Sequence, residues 1–437
     1  MTGRLLRRVV DVRDDEVSAT LVSFAFFFCV LSGWFVMRPI RDAVAAASGV
    51  SKLPWLFAGT LAVTLVCQPL FAALVSRFPA RRFIPITFQF FVVNLAVFYV
   101  LFRTASQAEG STTDIWVGRA FFVWTSMFNF FVTSIFWCFM ADVYRSEQAK
   151  RLFGFIGLGG TLGSVAGSAA TAVLAKHIGT PNLILVSIGL LELAILAVVR
   201  FPVQRDAGRD SGESKRDEII GGSIWAGVSH VVRSPYLLAI SAFLILYSLG
   251  STILYFAQAD IVGREYVDRA ARTTVLAQVE LAAQVLTIVI QAFLTGRVIR
   301  WLGLAMTLAL LPLLSIFGFS ALAAMPVFTT LAVFTVLRRG MNFALTNPAM
   351  ETLFTVVTRE DKYKAKSFIE TFVYRGGDQI AAWSYAGLSA LGLGLVGISM
   401  AAVPMAGVWL MLALWVGRKQ AELAGETPPI EPAVVTA

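Results

Sequence analysis

Long apolar runs separated by short polar connections dominate the chain. Twelve stretches hold enough mostly apolar residues to form a bilayer-crossing helix, which needs about 20. They cover roughly residues 17–46, 53–76, 83–103, 113–141, 152–176, 181–201, 236–262, 271–296, 302–322, 326–357, 366–392 and 395–416. None shows the sustained alternation of a barrel strand. The pattern predicts an all-α polytopic membrane protein, in which every backbone polar group inside the bilayer is satisfied within its own helix.

Composition supports that reading, with 57% hydrophobic and only 14% charged residues, where a soluble domain holds about a quarter charged. The net charge of +9 is therefore read as topology rather than as a nucleic-acid footprint. Basic residues collect at the N-terminus (Arg4, Arg7, Arg8, Arg13) and in the even-numbered connections, such as Arg77, Arg81 and Arg82, or Arg145, Lys150 and Arg151. This places both termini in the cytoplasm, with the chain in a bacterial inner membrane. Arg264, Arg269 and Arg272 in the seventh connection, and Arg38 and Arg41 at the end of the first segment, run against the parity. The basic-then-apolar start imitates a signal peptide, but its apolar run is too long, so an uncleaved first helix is expected. Cys29, Cys67 and Cys138 lie inside apolar segments with no metal-ligand spacing.

The stretch RFPVQRDAGRDSGESKRDEIIGG (200–222) splits the segments six and six. The expected organisation is a six-helix bundle over 1–200, a cytoplasmic linker over 201–234 with an amphipathic piece at 223–233, and a second bundle over 235–417. A disordered cytoplasmic tail over 418–437 completes it. The halves resemble each other: Ala149-Lys150 with Gly160 aligns with Ala365-Lys366 and Gly376, and VSRFPAR (75–81) aligns with TGRVIRW (295–301). Parallel six-helix repeats are the layout of the major facilitator architecture, with a site at mid-membrane between the halves. The basic 75–82 stretch resembles that superfamily's motif after its second helix, in degraded form.

Intramembrane charge fits the same layout, in which the third, sixth, ninth and twelfth helices face lipid. Charges there are costly and gather around cavities. The third, ninth and twelfth segments have none in their interiors, and the sixth has only Glu192. The other segments hold Arg38, Arg41, Asp42, Arg119, Glu280, Arg338, Arg339, Glu351, Glu370, Arg375 and Asp378. Arg338 lies twelve residues past Pro326, about 18 Å along a helix and thus near mid-membrane. Asn342 shares its side, and Asn347 and Glu351 form a second four-residue step. Pro348 is expected to interrupt the helix and free a carbonyl. One reading pairs these arginines with Glu280 or Asp378. The other gives them an anionic ligand, because arginines slightly outnumber acids and guanidinium forks fit carboxylate or phosphate. Polar stripes accompany them: Glu280, Gln284, Thr287, Gln291 and Thr295; Tyr247, Ser251, Tyr255 and Gln258; and Thr60, Thr64 and Gln68.

GFIGLGGTLGSVAG (154–167) misses the dinucleotide-binding glycine spacing by one and follows no strand. Its Gly159, Gly163 and Gly167, four apart, predict close helix packing instead. With no HExxH or GxSxG motif, and only His177 and His230, the sequence assembles no nucleophile or metal set. No enzyme activity and no cofactor are expected.

MRPIRDAV (37–44), FWCFMADVYRSEQAKRLFGFIG (136–157) and KYKAKSFIETFVYRGGD (362–378) resemble the ATP/ADP translocase family of plastids and intracellular bacteria. Arg38, Arg41 and Asp42 fall on its LR..KD pattern. Gln148, Ala149, Lys150, Arg151 and Phe153 fall on eAkRFY, and Lys366, Ile369, Glu370, Arg375 and Gly377 on KaaID…R.GKS. Where the family has KEMa[YF]IP, Glu351 keeps the acid but Met350 replaces the lysine; Asp378 replaces the lysine of R.GKS. The resemblance implies a divergent transporter of nucleotides or a less charged phosphorylated or carboxylated anion, exchanging by alternating access. Alternatives are proton coupling through Glu280 or Asp378, and a transport-inactive sensor. Substrate would be held by Arg38, Arg41, Asp42, Tyr255, Glu280, Gln284, Arg338, Arg339, Asn342, Glu351, Arg375 and Asp378. Gating is expected from Arg77, Arg81, Lys150, Arg151, Arg297 and Lys366, with acids such as Asp142 and Asp361. The expected partners are a small anionic substrate and the lipid bilayer, without nucleic acid, in a monomer.

Overall fold

The computed structural model describes residues 12–13, 15–77, 80–105, 111–144, 146–202, 231–357, 366 and 368–425. The helices of its first part are α1 (Val17–Ser48), α2 (Leu53–Arg77), α3 (Ala80–Ala105), α4 (Thr112–Val143), α5 (Ser146–Ile178) and α6 (Thr180–Val199). Then come α7 (Pro235–Glu265), α8 (Arg269–Phe293), α9 (Thr295–Ala324), α10 (Phe328–Met341), α11 (Asn347–Leu353), α12 (Tyr374–Ala390) and α13 (Leu395–Leu423). Ten helices among the described residues are long and apolar enough to cross a membrane. The two remaining apolar stretches are helical but interrupted. A π-helical turn, Asn342–Thr346, joins α10 to α11, and another, Ile369–Val373, precedes α12. Among the described residues the apolar segments thus correspond to ten long helices, one of them kinked at Gly303 (φ 72°), and two that change pitch partway.

Residues 203–230, with most of the expected amphipathic piece, lie outside the described residues. The last helix continues to Leu423, beyond the expected boundary at 417, because Lys419 pairs with Glu422 at 2.8 Å and Gln420 is buried. Of the tail, residues 426–437 lie outside the description.

The chain divides into two compact units, residues 1–207 with 262–284, and 208–261 with 285–437. In the first, α1 packs on α4, α5 and α6. Its partner α5 approaches along the glycine seam: a Cβ on Gly159, Gly163 or Gly167 would run into the carbonyls of Phe24, Phe28 and Ser32 of α1. Small residues let two backbones meet this closely, the main route to helix association in lipid. Ser32 Oγ then donates to the Gly163 carbonyl at 2.9 Å. Glu192 of α6 accepts from Gln89 of α3 at 3.2 Å, which accounts for the odd charge in a lipid-facing segment. The basic seventh connection is also accounted for locally. Arg269 Nη2 reaches both carboxylate oxygens of Asp114 at 2.7 and 2.6 Å, and Arg272 donates to the Tyr266 carbonyl at 2.5 Å.

Ahead of α1, buried Glu16 accepts from the Arg13 backbone N–H at 3.0 Å, Gln148 Nε2 at 2.9 Å and Arg151 Nη2 at 3.0 Å. Burial alone raises its carboxyl, but these hydrogen bonds and the Arg151 charge outweigh it and hold the group below its ordinary 4.5. In the second unit, α9 lies along α13, and fully buried Trp409 of α13 meets Phe243 of α7 at 5.4 Å between ring centres.

Candidate functional site

The first unit gathers its polar residues around Glu280 of α8. Arg38 Nη1 of α1 donates to Glu280 Oε1 at 3.1 Å, and Gln284 Nε2, one turn along α8, donates to the same oxygen at 2.9 Å. Ser164 of α5 closes the chain on Gln284 Oε1 at 3.2 Å. Glu280 and Gln284 are buried, so this line of hydrogen bonds keeps a carboxylate satisfied in an apolar setting. One turn along α1, Arg41 binds the carboxylate of its neighbour Asp42 at 3.0 and 2.8 Å and reaches Ser126 of α4 at 3.4 Å. Its guanidinium also stands over the rings of Trp34 and Phe122 at 5.5 and 5.4 Å.

The second unit is organised by Pro348. Without an N–H, Pro348 leaves the carbonyl four residues back, on Ala344, without its helical donor. Thr295 Oγ1 fills that place at 2.8 Å. In the π turn the Asn347 N–H bonds to the Asn342 carbonyl, which strands the Phe343 carbonyl as well. Gln291 Nε2 takes it at 3.2 Å. Gln291 near the end of α8 and Thr295 at the start of α9 thus supply the donors that the interrupted helix lacks.

Arg338 of α10 is buried at 4% exposure, and among the described residues no carboxylate bonds it. Its Nη1 donates to Ser251 Oγ at 2.8 Å, Nη2 to the Tyr247 carbonyl at 3.2 Å, and Nε weakly to Ser315 Oγ at 3.4 Å. The rings of Tyr247 and Trp409 lie 5.2 and 5.9 Å from its Cζ, so their negative faces stabilise the cation.

Tyr247 also forms one wall of a chamber of about 630 Å³. Aromatic residues Phe243, Phe343, Phe354 and Tyr374, the amides of Asn342 and Asn347, and Thr346, Met350 and Glu351 complete its lining with Leu244 and Pro348. Lys366 Nζ bonds Glu351 Oε2 at 2.6 Å, leaving that end close to neutral. Among the described residues Glu351 is the one acidic or basic side chain in the lining, and Arg338 stands behind the Tyr247 wall.

Other expected site residues are placed elsewhere. Asp378 of α12 accepts from Ser248 Oγ at 3.0 Å, with half-buried Arg375 three residues before it on the same helix. Arg339 lies about 100° round α10 from Arg338 and does not line the chamber. Tyr255 faces Phe256 at 6.5 Å. Of the gating set, Arg151 pairs with Glu16 and Lys366 with Glu351, whereas Asp142 and Arg297 are exposed. The side chains of Arg77, Arg81 and Lys150, and all of Asp361, lie outside the described residues. Sequence reasoning missed Ser164, Ser126 and Ser315, which carry no charge to mark them, and Trp409, which sits in a segment read as facing lipid.

Residues 19–377 match the family described as Major Facilitator Superfamily. "ADP,ATP carrier protein 1" of Chlamydia pneumoniae is 21% identical, with 88% of this chain and 87% of the carrier covered. The protein of the same name from Chlamydia trachomatis is also 21% identical, over 86% and 83%. The resemblance read from the motifs therefore extends over most of the chain. Among solved structures, the nucleoside transporter NupG superposes with a TM-score of 0.55 at 11% identity, covering 95% of this chain and all of that one. A bacterial homologue of the iron transporter ferroportin gives 0.62 at 11% identity, over 94% and 100%. At these identities the structures speak for the fold alone. On the family match and the all-helical membrane fold together, this chain belongs to the Major Facilitator Superfamily, as a divergent relative of the ADP,ATP carriers.

Proposed function

We propose that this membrane transporter exchanges a nucleotide or a related phosphorylated solute across the membrane by alternating access. The observation that carries the reading is Arg338: a buried guanidinium in the last turn of α10 with hydroxyls, a carbonyl and aromatic rings around it, but no carboxylate bound among the described residues. A charge left uncompensated in a low-dielectric setting favours an anion nearby. The chamber beside it supports the same cargo class. Its aromatic walls suit stacking on a heterocyclic base, and Asn342 and Asn347 offer amides that both donate and accept. Met350 stands in the lining where the carrier family's motif has a lysine. That loss of a cation favours cargo with fewer phosphates than ATP. The superfamily is one of transporters, and the reading assigns the chain no catalysis.

Proteoliposomes preloaded with ADP, AMP or phosphate and given labelled nucleotide outside test this directly. Counterflow that needs an internal phosphorylated anion supports the proposal. Absence of counterflow with every such anion overturns it. A second reading, proton coupling, is favoured by Asp378, whose carboxylate accepts from the neutral Ser248 hydroxyl. It expects a pH gradient alone to drive uptake, and Asp378→Asn to abolish that uptake while sparing counterflow.

A further inference from the structure

A second cavity, of about 730 Å³, runs between α2 and α4 in the first unit, and none of the residues of the candidate site lines it. We propose that it is a binding site for one phospholipid with an anionic headgroup, seated in the leaflet opposite the N-terminus. At its upper end are two cations, Lys52 and Arg119, and no carboxylate lines it. Neither cation has an ion pair among the described residues. Lys52 sits in the 3-10 turn just after α1 has crossed, and Arg119 lies in the first turns of α4, so both stand at the membrane boundary. Trp55 and Trp116 flank them, 65% and 62% exposed. Tryptophan in such a position belongs at the headgroup level.

Below this rim the walls turn apolar, through Gly59 and Val63 on α2 and Val123 and Met127 on α4. From Lys52 to Val63, and from Trp116 to Met127, the groove descends about 16 Å at 1.5 Å per residue. Half of a hydrocarbon core is about 15 Å, so the groove has the depth of one leaflet with its charge at the top. Two lining residues also carry buried donors without acceptors, Arg119 Nε and Trp124 Nε1. A headgroup phosphate and glycerol esters offer acceptors only. The Arg119 guanidinium rests 5.0 Å over the Trp116 ring, which holds it at the rim.

Native mass spectrometry of the purified full chain tests the site with three probes: phosphatidylglycerol, phosphatidylethanolamine of the same chains, and glycerol phosphate. The expected result is one retained phosphatidylglycerol, at least tenfold preferred over phosphatidylethanolamine, with glycerol phosphate failing to displace it. The double variant K52Q/R119Q should erase the preference for the anionic lipid. Gly59→Leu should lower retention of both lipids, since a Cβ there meets Val123 at an unstrained 3.6 Å and the longer side chain fills the groove. Equal retention of the two lipids by the wild type, or displacement by glycerol phosphate, would overturn the proposal. So would phosphatidylglycerol retention unchanged by Gly59→Leu, which decides the matter alone if the double variant does not fold. This inference stands apart from the cargo assignment, since no transport measurement enters it.

Discussion

Replacing Arg338 with methionine separates the two roles a buried arginine can play. An arginine at bilayer mid-depth costs about 2.5–3.5 kcal/mol on the insertion scale. Against that stand its bonds to Ser251 and the Tyr247 carbonyl and its two ring contacts. Hydrogen bonds to a charge contribute about 1.5–3 kcal/mol and ring contacts about 0.5–2 each, which at their low ends exceed the cost by only about 1 kcal/mol. The hydroxyls left behind can turn to their own helix carbonyls, as Ser315 already does at 2.8 Å to Leu311. Arg338→Met should therefore keep the unfolding midpoint within a few degrees. Its effect on an anion is larger. Cζ stands 5.2 Å from the Tyr247 ring centre, and a ligand packed on that ring adds about 3.5 Å. Unit charges at that spacing interact by about 2 kcal/mol at an effective dielectric of 20, or roughly twentyfold to thirtyfold in affinity. Calorimetric titration of the purified variant with AMP and with adenosine reads both outcomes. AMP should weaken by that factor, adenosine should hardly change, and Arg338→Lys should retain most of the AMP affinity. Equal losses for AMP and adenosine, or no loss for either, would refute the electrostatic role and leave Arg338 as packing.

Glu16→Gln keeps the neighbours but removes the charge facing Arg151, which is 23% exposed, and should cost about 1–2 kcal/mol at pH 7. Because the folded carboxyl is held below 4.5, the stability it contributes is full above that value and fades as pH falls through the folded one. Thermal unfolding of wild type and variant should thus converge in acid and separate on going to neutral pH; a gap that persists unchanged at pH 3 contradicts this. Gly163→Val should abolish a monodisperse peak in size-exclusion chromatography, since its Cβ meets the Phe28 carbonyl, whereas Gly154→Ala, with nothing within 4 Å, should be silent. Thr295→Val should destabilise by about 0.6–2 kcal/mol by stranding the Ala344 carbonyl. In a Pro348→Ala background, where residue 348 regains its N–H, the same change should cost nothing; additive effects would show that the two positions are not linked.

Hydropathy was enough to find the helices, because lipid demands long apolar runs whatever the fold. Charge placement went further: Arg38, Glu280 and Gln284 do meet, and Arg338 does lie deep in its unit. What the sequence could not reveal was partner choice. In the sequence Glu280, Gln284, Gln291 and Thr295 read as one polar face, yet Glu280 and Gln284 serve Arg38 and Ser164 while Gln291, and Thr295 at the start of α9, serve two carbonyls freed by the π turn and Pro348. Nothing in residue identity marks where a helix will take a π turn. The salt bridge considered for Arg338 also gave way to serines and rings, because a guanidinium is satisfied by any set of acceptors and π faces close by.

The wide turn at Asn342–Thr346 has a geometric consequence. On a straight α-helix each residue advances about 100°, so Asn342 and Glu351, nine positions apart, would look in opposite directions. Both nevertheless border the same chamber. A π turn absorbs one surplus residue, and thereby takes about 100° out of the phase between the two flanking pieces. Winding that turn back to ordinary α pitch, with every residue kept, would leave the span just as greasy to the eye of a hydropathy plot. It would also swing the carboxylate, with Met350 and Phe354, around to the far side, so the shape of the chamber hangs on the pitch of one turn.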